Sequence, residues 1–318
     1  MVRYLLRRVI QFFGVLLIIS FVSFLIMRLL PGDQVVKHLG TSYTTENARL
    51  FEHQVGLDQG FFAQYFTWLG HIVTFNWGTS WTVSPGKANS TILAESLPPT
   101  LLILTMSQIL GLVIAIPTAV AVVRRPNGRL DRSANAIMLG AYSIPTIVAL
   151  PILTYVLTVK YNFLPGPSAW NSSVSVFAPQ NLKVAVLPAI AIAISSLAGH
   201  FRFLRNDMII NLQEDFVVMA RSKGLRDGRI LWRHVLRPSS VTFLTSLGLT
   251  ISGLIVGSFV VETFLSIPGF ASWLLPAVDT SDFGLLQMLV MTVAFLVIGI
   301  QMLINSLLPL IDPRIARD

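Results

Sequence analysis

The sequence predicts an all-α, polytopic membrane protein with six transmembrane helices. Hydrophobic residues make up 53% of the 318 residues, and charged residues make up only 12%. An ordinary soluble domain carries about twice that share of charge, so a soluble fold is excluded. The mean hydropathy of +0.70 agrees with this conclusion. The chain has no cysteine, which excludes disulfides, thiolate metal ligands and cysteine nucleophiles.

Six stretches that contain no Asp, Glu, Lys or Arg predict the membrane spans. Each is 18 to 29 residues long, and about 20 apolar residues cross a bilayer as a helix. The predicted spans are 9–27, 96–123, 133–159, 184–201, 238–261 and 283–311. Strands of membrane β-barrels alternate in polarity over about ten residues and do not match these continuous apolar runs. The first run is too long for a cleaved signal peptide, so we expect it to remain as a helix.

The distribution of basic residues predicts the orientation. The segments 1–8, 124–132, 202–237 and 312–318 carry 17 basic and 7 acidic residues, whereas the rest of the chain carries 6 and 8. Cytoplasmic loops are enriched in Lys and Arg, so both termini are predicted to be cytoplasmic. The net charge of +8 therefore requires no nucleic acid as a partner.

The predicted spans divide the chain into four parts. An N-terminal transmembrane helix, 1–30, precedes an extracytoplasmic segment, 31–95, and a transmembrane core, 96–311, with a large cytoplasmic loop at 202–237. Residues 312–318 form a cytoplasmic tail.

The extracytoplasmic segment contains a predicted helix. Phe61, Tyr65, Trp68 and Ile72 recur at helical spacing, and a second apolar stripe lies beside them. Such a helix is either buried in a small external domain or lies at the lipid headgroup boundary. Both alternatives are open.

The cytoplasmic loop 202–237 is the most informative segment. It carries twelve charged residues and is longer than a connection between two helices requires. We predict two short amphipathic helices, 214–223 and 227–236. The first is expected to place Phe216, Val217 and Ala220 on one face and to end at Gly224 in the left-handed conformation. These helices can dock onto a partner protein or rest on anionic lipid headgroups.

The chemistry of the spans argues against an enzyme and against ion-coupled transport. Transporters driven by protons or sodium place ionisable groups at membrane depth, but His200, Glu262 and Arg28 lie only at the ends of predicted spans. The sequence contains no G-x-x-x-x-G-K-[ST] phosphate loop, no pair of histidines at metal-ligand spacing and no G-x-S-x-G elbow. We therefore expect no catalytic residue, no bound cofactor and no metal.

The cytoplasmic loop resembles a known family. The string D-F-V-V-M-A-R-S-K-G-L at 215–225 and I-L-W-R-H-V-L-R at 230–237 is similar to the cytoplasmic EAA loop of ABC importer permeases, in the variant found in peptide and nickel importers. Other stretches resemble the same family: Leu30-Pro-Gly-Asp33, Gly56-Leu-Asp58, Gln64-Tyr65, Gly78-Thr-Ser80, Leu97-Pro-Pro-Thr100, Ser143-Ile-Pro145, Val261-Glu-Thr-Phe264, Pro268-Gly269 and Asp312-Pro-Arg-Ile315. The long outer segment is similar to that of the B-type permease of dipeptide and oligopeptide importers.

The chain departs from the family pattern at four positions. Val218 and Met219 stand where the family has Glu-Ala, Ser222 replaces an alanine, and Gly284 replaces a proline. Glu214 or Asp215 is the candidate substitute for the missing glutamate.

The resemblance implies a type I ABC importer permease for di- and oligopeptides in the bacterial cytoplasmic membrane. It also implies a second, paralogous permease subunit, two cytoplasmic ATPase subunits that hydrolyse ATP with Mg²⁺, and an extracytoplasmic peptide-binding protein, with membrane lipid around the chain. The residues expected to couple to the ATPases are Glu214, Asp215, Ala220, Arg221, Lys223, Gly224, Leu225, Arg229 and His234. The alternatives are a permease for nickel or another small solute, and a passive channel.

Overall fold

Within the residues that the structure describes, the secondary structure is helical apart from turns, loops and one isolated β-bridge between Thr79 and Ala88. A computed structural model describes residues 2–29 and 34–311; the motifs at 30–33 and 312–315 and the predicted tail 312–318 lie outside this range. The helices are α1 Val2–Leu29, α2 Gln34–Leu39, α3 Thr45–Val55, α4 Phe61–Val73, α5 Asn89–Val123, α6 Arg129–Tyr142, α7 Thr146–Thr154, α8 Pro179–Asn211, α9 Asp215–Ser222, α10 Asp227–Arg229, α11 Leu236–Leu265, α12 Ala271–Thr280 and α13 Phe283–Ile311. Two π-helical turns, Tyr155–Lys160 and Ile230–Val235, extend α7 and join α10 to α11. The predicted all-α fold class is confirmed.

Five helices in the described part of the chain are long and apolar enough to cross a membrane, by length and composition. They are α1, α5, α8, the continuous helix from α10 to α11, and α13. The predicted third span is instead two helices, α6 and α7 with its π-helical extension, bent by 95° at their junction. If this pair forms one broken span, the total is the predicted six.

The bend between α6 and α7 follows from Pro145. Proline has no backbone N–H to continue a helix, and it disfavours the helical conformation of the residue before it. Pro145 itself has extended backbone angles, φ −57° and ψ 140°, and begins α7 as its N-cap.

Two helix ends differ from the predicted span boundaries. Residues 202–211 belong to α8, and the helix that contains α11 begins at Asp227 rather than at Pro238. Arg, Leu and Met propagate a helix well, and the stretch from Arg202 to Asn211 contains neither glycine nor proline, so the helix continues past the apolar part. The segment 227–236 is therefore the beginning of the fifth span and not a separate short helix, which corrects the prediction.

The chain forms two compact units. The first contains residues up to Val9, Thr100–Ile267 and residues from Gly299, and the second contains Ile10–Pro99 and Pro268–Ile298. The core of the first unit lies where α5, α8 and α11 meet, around Ala115, Phe201 and Phe243. Small residues such as Ala115 and Gly111 allow close approach of helices in a membrane.

The second unit contains the predicted outer helix. It is α4, and its residue Tyr65 is buried against α1, where the Tyr65 hydroxyl lies 2.9 Å from Oγ of Ser20. The rings of Phe24 and Trp68 pack with centroids 5.4 Å apart. Phe62 and Phe66 on the second stripe are exposed. One face of α4 is thus packed within its unit, and the other face remains free.

Candidate functional site

The segment between α8 and α11 is fixed to the core of the first unit by the inner face of α9. Val217 and Ala220 are buried there and belong to the same apolar cluster as Ile230, Leu231 and Val235 of the following helical turns. Their spacing of three residues places Val217 and Ala220 on one side of a helix. This side holds α9 in a defined position.

The end of α9 is set by Gly224. Its φ of +75° lies in the left-handed region, which favours glycine. The N–H of Gly224 donates to the carbonyl of Arg221 at 2.9 Å, and the N–H of Leu225 donates to the carbonyl of Ala220 at 3.2 Å. This is a Schellman motif, and half-buried Leu225 packs against the core cluster as that motif requires. The predicted left-handed cap is confirmed.

The outer face of α9 is apolar and exposed. The exposed fractions of Phe216, Val218 and Met219 are 37%, 62% and 57%. We call these three residues the α9 patch. Phe216 lies one turn before Ala220 and therefore on the predicted face with Val217 and Ala220, but at the exposed edge of that face.

Charged side chains surround the α9 patch. Glu214 at the N-cap and Asp215 in the first turn are exposed, and their carboxylates have no ion-pair or hydrogen-bond partner among the described residues. Lys223 is exposed as well. Nε of Arg221 lies 3.8 Å from Oδ1 of Asp227, but both side chains are well exposed, so this ion pair adds little stability. The charges are available to another molecule.

The two remaining predicted residues lie beyond the cap. Arg229 is exposed at the end of α10, and His234 is partly buried in the π-helical turn before α11. The structure therefore brings seven of the predicted residues, Glu214 to Leu225, together on α9 and its cap, and places Arg229 and His234 on the next helix.

Two polar links hold the neighbouring helices together in the first unit. Arg205 of α8 pairs with Asp131 of α6: its Nε donates to Oδ1 at 2.6 Å and its Nη2 donates to Oδ2. The amide of Asn211 at the end of α8 donates to Oγ of Ser239 in α11 at 3.0 Å. The helices on both sides of α9 are thus connected by buried or half-buried hydrogen bonds.

Two buried polar pairs lie in α5, α8 and α11 and were not predicted as pairs. The hydroxyl of Thr100 donates to Oε1 of Glu262 at 2.7 Å, and Nε2 of His200 lies 3.1 Å from Oε1 of Gln108. The expectation that His200 lies at a span end is wrong, since α8 continues to Asn211 and His200 is fully buried. Two sequence motifs, at 97–100 and 261–264, meet in the Thr100–Glu262 bond.

Among the described residues, no group of three or more His, Asp or Glu side chains is arranged to hold a metal ion. The site as described presents an apolar patch and free charges on a rigid support. Such a surface is suited to binding another protein.

Comparison of the chain with known proteins shows its family. Residues 109–317 match the binding-protein-dependent transport system inner membrane component, and residues 1–97 match the N-terminal part of such components. The chain belongs to this family. It is therefore a multi-pass inner-membrane component of a transport system, which acts with other subunits, and not an enzyme.

Curated relatives match the chain over its whole length. The oligopeptide transport system permease protein AppB of Bacillus subtilis (strain 168) is 31% identical over 317 residues, with 99% of both chains covered. The dipeptide transport system permease protein DppB of Lactococcus lactis subsp. cremoris (strain MG1363) is 28% identical, again with 99% of both chains covered. A putative peptide permease protein of Brucella suis biovar 1 (strain 1330) is also 28% identical.

Proposed function

We propose that this transport component is the B-type permease subunit of an ATP-driven ABC importer for di- and oligopeptides. It forms half of the translocation pathway together with a paralogous permease. Two cytoplasmic ATPase subunits bind and hydrolyse ATP with Mg²⁺, and an extracytoplasmic protein delivers the peptide. The chain itself binds no nucleotide, and both of its termini face the cytoplasm.

The observation that carries this proposal is the α9 patch on its rigid support. An exposed apolar surface with free charges around it is typical of an interaction site, and the exposed carboxylates of Glu214 and Asp215 beside it favour a protein partner over anionic lipid headgroups. The names of the full-length relatives support peptides as the substrate class.

The energy supply follows from the same geometry. The sequence has no phosphate-binding loop, so the energy of uphill transport has to come from another subunit. When ATP closes the ATPase pair, a docked α9 moves with it. The Asp131–Arg205 and Asn211–Ser239 links carry that movement into α6, α8 and α11, which switch the pathway as a rigid group.

The docking of α9 is tested by Met219→Asp in the α9 patch. Its side chain is exposed, so the substitution leaves the packing of the core intact but places a charge in an apolar interface. We expect the ATPase subunits to be lost when the variant is purified in mild detergent, although the amount of inserted permease is unchanged. Gln213→Asp, which adds the same charge at an exposed polar position just before α9, serves as the control. Retention of the ATPases by Met219→Asp would exclude this interface.

The substrate class is tested with the reconstituted importer. Calorimetric titration of the cognate binding protein with peptides and with nickel chelates distinguishes a peptide importer from the metal alternative. Uptake in proteoliposomes should require ATP, the ATPases and the binding protein. Flux through the purified permease alone would instead show a passive channel.

A further inference from the structure

The second unit contains a cavity of about 380 Å³. Its walls come from the end of α1, the connection from α3 to α4, α4 itself, the turn region around 76–89 and the first turns of α13. Binding sites for small ligands have volumes of about 300 to 1,000 Å³, so this cavity is of the size that holds two or three amino-acid residues rather than a long chain.

The cavity contains a cation that has no partner within residues 2–29 and 34–311. Arg28 in the last turn of α1 lines it, and the Arg28 guanidinium has neither an ion pair nor a hydrogen bond among the described residues. No Asp or Glu is among the described residues that line the cavity. A partly buried guanidinium without a carboxylate partner favours an anionic ligand, with which it forms charge-assisted, two-point hydrogen bonds.

The cavity also contains unsatisfied amide groups. Asn89 is fully buried; its Nδ2 donates to the carbonyl of Trp77 at 2.8 Å, but its Oδ1 accepts no hydrogen bond. The amide of Gln287 also lines the cavity and has no hydrogen-bond partner among the described residues. A buried acceptor without a donor is costly, so Asn89 favours a ligand that brings an N–H group.

The remaining walls combine polar side chains with aromatic ones, among them Trp68 of α4 and Trp81 of the turn region. The turn region is fixed to the start of α13 by the buried carboxylate of Asp282. This carboxylate accepts hydrogen bonds from the hydroxyl of Ser80 at 2.6 Å and from the N–H of Trp81 at 2.8 Å. The position of Trp81 is therefore set before any ligand binds.

We infer that this cavity binds the C-terminal end of a short peptide. The terminal carboxylate pairs with Arg28, a peptide N–H donates to Oδ1 of Asn89, and an apolar side chain packs against Trp68 and Trp81. The phosphate of an anionic lipid headgroup also satisfies Arg28, so the test below includes an anionic lipid as a competing ligand. The inference rests on the proposed function, and it adds a place where the permease itself recognises its substrate.

The test is equilibrium binding of radiolabelled Ala-Phe to the purified importer complex, without the binding protein, in phosphatidylcholine nanodiscs. We expect Ala-Phe to bind and its C-terminal amide to compete at least tenfold more weakly, because the amide lacks the charge that Arg28 requires. Arg28→Gln should weaken Ala-Phe binding about tenfold and remove the preference over the amide. Arg49→Gln, which removes an exposed charge from α3 in the same unit, is the matched control.

A second variant keeps the test valid even when the importer complex with Arg28→Gln does not assemble. Gln287→Glu places a carboxylate in the same cavity and should weaken binding of Ala-Phe but not of its amide. Equal binding of Ala-Phe and its amide by the wild-type complex, or unchanged binding by both variants, would overturn the inference. Displacement of bound Ala-Phe by 20% phosphatidylglycerol in the nanodiscs would overturn it in favour of a lipid site. Failure of the proposed function is distinct, since the complete wild-type importer would then transport no peptide.

Discussion

At the scale of single residues, the strongest polar link in the first unit is the pair Asp131–Arg205. The exposed fractions of the two side chains are 2% and 14%, and two parallel hydrogen bonds join them. Asp131 also accepts hydrogen bonds from the N–H of Asn127 and the amide of Asn135. With both oxygens satisfied, the carboxylate can remain charged where water is scarce.

Asp131→Asn is expected to destabilise the protein by about 2 to 4 kcal/mol, because it leaves the charge of Arg205 without its partner. The measurement is chemical unfolding of the purified permease in detergent. Asp227→Asn, which removes the exposed ion pair with Arg221, should change stability by less than about 0.5 kcal/mol. Equal effects of the two substitutions would show that burial does not distinguish these pairs.

The residues of this link could be predicted only in part. Asp131 and Arg205 are visible in the sequence as polar residues near predicted span ends, but partners 74 positions apart in the chain follow only from the packing of α6 on α8. The sequence also places His200 near the end of a membrane span, because an apolar run shows where charged residues begin and not where the helix ends.

At the scale of elements, α9 shows how a short helix obtains a fixed length and orientation. Its Schellman cap satisfies the last carbonyls, and Val217 and Ala220 hold its inner face. Gly224 stands in open space, so its requirement for glycine comes from its backbone angle and not from crowding.

Gly224→Ala should destabilise the end of α9 by about 1 to 2 kcal/mol, since an L-residue pays that cost in the left-handed conformation. Hydrogen exchange of the α9 amides would report the loss as faster exchange. Gly228→Ala is the matched control, because Gly228 lies in the helical turn of α10 and also stands in open space. The control should leave exchange unchanged or slow it. A slower rate in Gly224→Ala would contradict the role of the cap.

The sequence predicted the cap of α9 but not which of its apolar side chains are exposed. A glycine after an apolar run is a strong end signal, whereas Phe216, Val217, Val218 and Met219 are consecutive apolar residues, so their pattern does not show which of them is buried. The sequence likewise leaves open whether Pro145 is a hinge or a tolerated kink, because hydropathy measures the length of an apolar run and not its direction.

At the scale of the whole molecule, charge asymmetry is the feature that predicts the orientation of the chain. The predicted cytoplasmic segments carry a large excess of basic residues, and the α9 patch lies in one of them. The asymmetry could be computed from the sequence alone once the spans were located. The division into two compact units could not, because it groups distant parts of the chain.

The orientation is tested by cysteine labelling, for which a chain without cysteine has no background. Ser42→Cys and Ser222→Cys introduce single thiols at exposed positions. With both termini cytoplasmic, a membrane-impermeant maleimide should label Ser42→Cys in intact spheroplasts and Ser222→Cys only after permeabilisation. The reverse pattern would invert the topology and exclude α9 as the ATPase contact.

The unbroken helix from Asp227 to Leu265 has a mechanical consequence. Its 39 residues correspond to about 58 Å of helix at a rise of 1.5 Å per residue. With the π-helical turn Ile230–Val235 included, it connects the turn beside α9 to the buried carboxylate of Glu262 without a break in the helix. A tilt of only about 5° about one end would displace the other by roughly 5 Å, a distance comparable to one helical turn. A small tilt of this helix would therefore produce a larger displacement at the end near Glu262, without rearrangement of the side chains in between.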